Sequence, residues 1–136
     1  MADDVAVNKA AVIERCVARV REEYAGDDAN LFKDQTRQDA IILNLQRACE
    51  ASIDLAMHQV KEHRLGVPQE SRDAFQFLSK AGLLDSTLAE HMAKMVGFRN
   101  IAVHDYQTIS LDIVKAIITC HLDDFLSFAR WGIACE

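Results

Sequence analysis

The 136-residue sequence contains a single proline and only five glycines. Chain reversals depend strongly on these two residue types, so a protein with so few of them is poorly suited to a many-stranded sheet. No segment alternates polar and apolar residues in the manner of a strand, and there are no internal repeats or low-complexity tracts. These absences favour long helices.

Long apolar runs are absent as well. No run approaches the roughly 20 residues needed to cross a bilayer, and the acidic start, Met-Ala-Asp-Asp-Val, lacks the basic and apolar regions of a signal peptide. The sequence therefore predicts a soluble, cytoplasmic protein that makes no contact with a membrane. Half of the residues are hydrophobic, which is enough for one core, and we expect a single domain over residues 1–136.

Metal-binding patterns are also missing. The four cysteines include no C-x-x-C pair, and His63, His91 and His121 show no ligand spacing, so we expect neither a metal site nor another cofactor. A net charge of −6 argues against a protein that coats nucleic acid, because such binding relies on clustered lysines and arginines. The charge remains compatible with a small basic cleft, or with a basic partner.

Apolar residues that recur every three or four positions predict an all-α bundle of four long helices and one short helix. The long helices are predicted over residues 4–24 and 35–64, from near 85, and from 108–110 to about 132. Residues 30–35 are predicted to be a connector, after which Asp34 or Thr36 caps the second helix. The short helix is predicted to be capped by Ser71 and stopped by Gly82.

The side chains best suited to chemistry are concentrated near residue 100, in the order R-x4-H-x-Y. They are Arg99, Asn100, His104, Asp105 and Tyr106. A guanidinium, an imidazole and a phenol so close together suggest chemistry on a phosphate. Positions five apart on a straight helix differ by about 140°. Arg99 and His104 can therefore share a site only if the helix ends or bends after Arg99, or if a subunit interface brings two copies together.

The stretch Phe98–Tyr106 resembles the motif of the HEPN superfamily, in particular the HepT-type toxins paired with minimal nucleotidyltransferase (MNT) antitoxins. Arginine and histidine often fall at this spacing by chance, but Gly97, Asn100 and Tyr106 make the match more specific. The resemblance extends upstream to residues 38–46, 53–58 and 65–68, with Phe75 and Leu78. It covers roughly residues 35 to 110.

This resemblance implies a two-fold homodimer in which both motifs line one cleft at the interface. It also implies a metal-independent endoribonuclease with Arg99 and His104 as catalytic residues. The 2′-hydroxyl of RNA would attack the adjacent phosphate and leave a 2′,3′-cyclic phosphate. Asn100 would orient the phosphate or the imidazole. The MNT antitoxin would attach AMP to Tyr106 and so block the phosphate site.

Two aspartates are candidates for a supporting role. Asp105 follows the histidine of the motif directly. Asp54 is spaced to form an intrahelical pair with His58, which could support the cleft or equally lie on a solvated face. A basic rim for RNA is a further interpretation, although a solvated surface is the more ordinary one. Its candidates are Arg37, Arg47, Lys61, Arg64 and Lys94.

Each motif residue also has an ordinary structural interpretation. His104 could donate to a backbone carbonyl at a helix end, and Arg99 could form a surface ion pair with Asp105 or Glu90. Tyr106 could stack on a base or be a core aromatic. For the whole chain, the alternatives to a nuclease are a non-catalytic scaffold that presents a substrate to a nucleotidyltransferase, or a helical domain that binds a small phosphorylated ligand.

Overall fold

The computed structural model describes residues 3–135, which form seven α-helices, one 3-10 helix and no strand. The elements are α1 (Asp4–Tyr24), α2 (Asp28–Phe32), α3 (Gln35–Glu62), α4 (Ser71–Lys80), α5 (Ser86–His104), the 3-10 helix (Tyr106–Thr108), α6 (Leu111–Cys120) and α7 (Leu122–Ala134). The all-α bundle predicted from the sequence is confirmed. Within this part of the chain, no helix combines the length and apolar character that crossing a membrane requires.

The central element is α3, which packs against α1, α4, α5 and α7. A buried polar side chain ties it to α7, since Gln59 Nε2 donates to the Gly132 carbonyl at 2.9 Å. The absence of a side chain at Gly132 allows this close approach, because a Cβ there would lie 2.4 Å from Leu55 Cδ2. The C-terminal part of α3 is thereby held against α7, and the site is built on other elements that pack around α3.

The predicted helix boundaries differ from the structure in two places. The predicted fifth helix is two helices, α6 and α7, which are separated at His121. Both bury residues at the same apolar spacing, so periodicity alone could not reveal the break. The predicted connector over residues 30–35 includes the end of the five-residue helix α2.

At two helix starts one of two predicted candidates is the cap: Asp34 or Thr36 for α3, and Ser110 or Thr108 for α6. At α5 the cap is Asp85 and not the predicted capping box from Thr87 to Glu90. Asp34 caps α3 by accepting the Arg37 N–H at 3.1 Å, and Ser110 caps α6. At α4, however, the N-cap is Glu70, whose carboxylate and that of Asp73 form a reciprocal capping box. Ser71 is therefore the first helical residue, and its hydroxyl is available to another helix.

Candidate active site

The motif occupies the last two turns of α5 and the 3-10 helix that follows. Helix α5 does not end after Arg99 and continues to His104. Its buried residues anchor it on the core; they include Met92, Met95, Val96, Phe98 and Ala102, whereas Val103 is exposed. In a continuous α-helix Arg99 and His104 point about 140° apart, so α5 alone does not direct them to a common point.

Arg99 is half-buried, and no carboxylate of residues 3–135 is paired with it. Its Nη2 donates to Ser71 Oγ over a long 3.4 Å, and its buried Nε has no hydrogen-bond partner within residues 3–135. The alternative ion pairs are not formed there, since Glu90 lies 3.7 Å from Lys94 instead. A guanidinium with uncommitted N–H donors is suited to binding an anion.

A cavity of about 280 Å³ opens beside this guanidinium, between the start of α4 and the last turns of α5. Its lining residues are Glu70, Ser71, Arg72, Val96, Arg99 and Asn100. Two of them are arginines, and the amide of Asn100 adds further donors. The cavity therefore offers the kind of donor groups that recognise a phosphate.

His104 is the last residue of α5 and is exposed. Its imidazole makes no hydrogen bond to any residue in the part of the chain described, so the predicted bond to a backbone carbonyl is not observed. The adjacent Asp105 ends the helix through its main chain: its N–H donates to the Ile101 carbonyl at 2.8 Å. Its own carbonyl accepts from Thr108 Oγ1 at 2.9 Å. The observed contacts of Asp105 are thus those of a helix terminus.

Tyr106 is 40% exposed and is not a core aromatic. Its hydroxyl donates to Asp39 Oδ1 at 2.5 Å, and the same oxygen accepts Gln35 Nε2 at 2.8 Å. Partial burial, followed by the hydrogen bond to Asp39, raises the pKa of the phenol to about 12. Sequence reasoning did not single out Asp39, which lies 67 residues from Tyr106. Its only signal was its position in the upstream segment 38–46.

The predicted pair between Asp54 and His58 is not formed. Helix α1 packs along α3, and α1 and its N-cap supply a partner to each. Lys9 Nζ lies 3.0 Å from Asp54, and His58 Nε2 lies 2.6 Å from Asp3. The hydrogen bond from His58 lowers the pKa of Asp3. Asp54 has no hydrogen bond or ion pair with a motif residue. Its supporting role in the cleft therefore stays a prediction that no observed contact supports.

One group of side chains could hold a metal ion, although the sequence spacing did not indicate it. Asp124 Oδ2 lies 3.1 Å from His91 Nδ1 and 2.8 Å from His121 Nδ1, and the three candidate ligand atoms all lie within 4.8 Å of one another. The ligands come from α5, from the α6–α7 junction and from α7, a convergence that only helix packing produces. The shared hydrogen bonds to Asp124 already account for the arrangement.

The helical fold and the R-x4-H-x-Y motif place the chain in a class of helical ribonucleases. The sequence model described as Ribonuclease HepT-like matches residues 13–130, and the chain belongs to this HepT-like family. One relative is the mRNA nuclease HepT of Shewanella oneidensis, which is 48% identical over 126 residues, or 93% of this chain and 94% of that protein.

Solved structures share the fold over nearly the whole chain. One is the tri-AMPylated Shewanella oneidensis HEPN toxin in complex with its MNT antitoxin; it is 47% identical with a TM-score of 0.91, over 98% of this chain and 99% of that one. Another is a toxin–antitoxin complex with AMP-PNP, which is 46% identical with a TM-score of 0.92, over 98% and 100% of the two chains. The resemblance drawn from the motif is confirmed.

Proposed function

We propose that this chain is the toxin of a toxin–antitoxin pair, an endoribonuclease that acts in the cytoplasm through a single helical domain. One observation carries the proposal: the Arg99 guanidinium lines a cavity with Asn100 and is paired with no carboxylate among residues 3–135. A scaffold that only presents a substrate has no need for an uncommitted guanidinium of this kind. Membership in the HepT-like ribonuclease family supports the same conclusion.

The proposed reaction uses the 2′-hydroxyl of RNA as the nucleophile. His104 takes the proton from this hydroxyl as its oxygen attacks the adjacent phosphorus. The bond to the 5′-oxygen of the next nucleotide breaks, and this oxygen takes a proton from solvent water. Arg99 donates hydrogen bonds to the phosphate oxygens and stabilises the charge that develops on them. The products carry a 2′,3′-cyclic phosphate and a 5′-hydroxyl, and no step is assigned to a metal ion.

The catalytic pair is proposed to assemble across a two-fold dimer. Because Arg99 and His104 diverge by about 140° on α5, the shared cleft combines Arg99 of one subunit with His104 of the partner subunit. The surface of α5 supports this arrangement, since Ile101 and Val103 are 43% and 46% exposed beside the motif. The two side chains point about 160° apart around α5, so an interface that enclosed the end of the helix would bury both.

An MNT antitoxin is proposed to switch off the toxin by attaching AMP to Tyr106. The phenol oxygen bonds to the α-phosphorus of ATP, pyrophosphate leaves, and the phenolic proton passes to a nearby base. Asp39 is placed to accept it, since its carboxylate already holds the hydroxyl. The added nucleotide would place a bulky anion near the groups that bind RNA phosphates, and would repel the substrate.

The decisive experiment compares Arg99→Ala and His104→Ala with the wild type in RNA cleavage, dimerisation and antitoxin binding. We expect each variant to lose cleavage by at least about 10²-fold, because each removes a group that acts in the transition state. Dimerisation and antitoxin binding should be retained. Arg130→Ala on α7 is the control and should leave all three unchanged. If the wild type cleaved no RNA and the two variants lost antitoxin binding, the scaffold interpretation would be favoured instead.

A further inference from the structure

Arg72 is an exposed arginine in the first turn of α4, and it lines the same cavity as Arg99 and Asn100. It takes part in no ion pair within residues 3–135. Its Nη2 lies 3.0 Å from the point that a Cβ on Gly97 would occupy. The guanidinium therefore lies directly over the backbone of α5, in the space that the missing side chain leaves.

This position places Arg72 beside the functional face of α5. Gly97, Asn100 and His104 are spaced by three and four residues and share one face of the helix. Around the helix axis, Asn100 lies between Gly97, about 60° away, and Arg99, about 100° away in the other direction. Two guanidiniums thus flank the Asn100 amide, with Arg72 on the side that also carries His104.

The nearby carboxylates do not neutralise this cation through a direct contact. Asp73 Oδ2 accepts the backbone N–H groups of Gln69 and Glu70 at 3.1 and 3.0 Å. The Glu70 carboxylate accepts a backbone N–H in the reciprocal half of the capping box. Both acids are therefore engaged by the start of α4 itself, where such anions are favoured. Arg72 keeps its donors available to a ligand.

We infer that Arg72 and Asn100 form a second phosphate-binding subsite, which holds an RNA phosphate neighbouring the one at Arg99. The inference rests on the proposed ribonuclease function and extends it to substrate positioning. An arginine suits this task because its planar donors match two phosphate oxygens. Gly97 fits the same account: glycine is unfavourable inside a helix, and here it leaves room for the guanidinium.

The test measures cleavage of an RNA oligonucleotide by Arg72→Ala, Arg72→Lys and Gly97→Ala across a series of salt concentrations. Losing one phosphate contact should raise KM about ten-fold at low salt and reduce the slope of log KM against log salt by about 0.7, with little change in kcat. Arg72→Lys should recover most of the slope because it retains the charge.

Gly97→Ala should raise KM about two-fold while raising the melting temperature, since alanine favours the helix. Arg130→Ala is the control for removal of an exposed arginine.

The same variants are compared for binding to a 2′-O-methyl version of the oligonucleotide, which lacks the nucleophile and is not cleaved. An unchanged KM and salt slope in Arg72→Ala would overturn the inference while leaving the ribonuclease function intact. A fall in kcat with an unchanged slope would also overturn it, by showing that Arg72 only supports the structure. If the wild type bound this RNA without cleaving the unmodified one, the ribonuclease function would fail. The salt slope of binding would then decide whether Arg72 contacts a phosphate.

Discussion

The two tyrosines of this chain make the same hydrogen bond in different surroundings. Tyr24 donates to Asp28, and Tyr106 donates to Asp39. The first pair is local, four residues apart, and Asp28 also accepts Lys115 Nζ at 2.7 Å. The second pair joins segments 67 residues apart, and its aspartate has a neutral glutamine amide as its other partner.

The two carboxylates differ in whether a cation neutralises their negative charge. The ammonium of Lys115, followed by the hydroxyl of Tyr24, lowers the pKa of Asp28 and makes it a weaker proton acceptor. Asp39 has no cation paired with it among residues 3–135, so its charge remains available to the phenol of Tyr106. The same tyrosine–aspartate hydrogen bond is therefore part of a surface ion-pair network at Tyr24 and forms a candidate reactive pair at Tyr106.

The largest expected contrast is between Tyr106→Phe and Tyr24→Phe when each is mixed with an MNT antitoxin and ATP. Removing the hydroxyl of Tyr106 should abolish AMP addition, because the acceptor oxygen is gone. Removing that of Tyr24 should leave it intact. Intact-protein mass spectrometry measures the added mass of AMP in both variants. An AMP adduct that persists in Tyr106→Phe would show that the modification site has been assigned to the wrong residue.

A smaller contrast is expected between Asp39→Asn and Asp28→Asn. The Asp39 change should slow AMP addition by about 10²-fold, the lower end of what a general base contributes, since water can replace it in part. The Asp28 change should alter the rate less than two-fold. Time-resolved mass spectra measure both rates. Equal rates in the two variants would mean that the antitoxin supplies the base.

The smallest effect concerns the ionisation of Tyr106, measured by phenolate absorbance in a Tyr24→Phe background. Its pKa should be about 12, two units above the ordinary value. Because the folded state favours the neutral phenol, the stabilisation is fully present below pH 10 and is lost as the pH rises towards 12. Asp39→Asn should lower this pKa only in part, since burial is the larger cause. A pKa near 10 with Asp39 intact would contradict the contact.

Local sequence was enough to predict most of the fold. The apolar repeat identified the stretches that form α1, α3, α4 and α5, and side chains such as Asp34 and Ser110 marked helix starts. Prediction from local sequence was wrong where several local signals were possible at one position. At α4 two acidic residues and a serine could each cap the helix, and the capping box excluded Ser71. At His121 the apolar spacing continues although one helix ends and the next begins there.

The motif itself was also readable, because Arg99, His104 and Tyr106 are close in sequence and share one helix end. The sequence by itself thus determined the all-α class and most helix positions, which depend on interactions over a few residues. The candidate catalytic residues were recognised through the resemblance to the HEPN motif. Packing decided the rest: that Asp39 holds Tyr106, and that Arg72 lies over Gly97. The first contact joins residues 67 positions apart and the second joins two consecutive helices. The geometry of both is set only when the shared core brings the helices together.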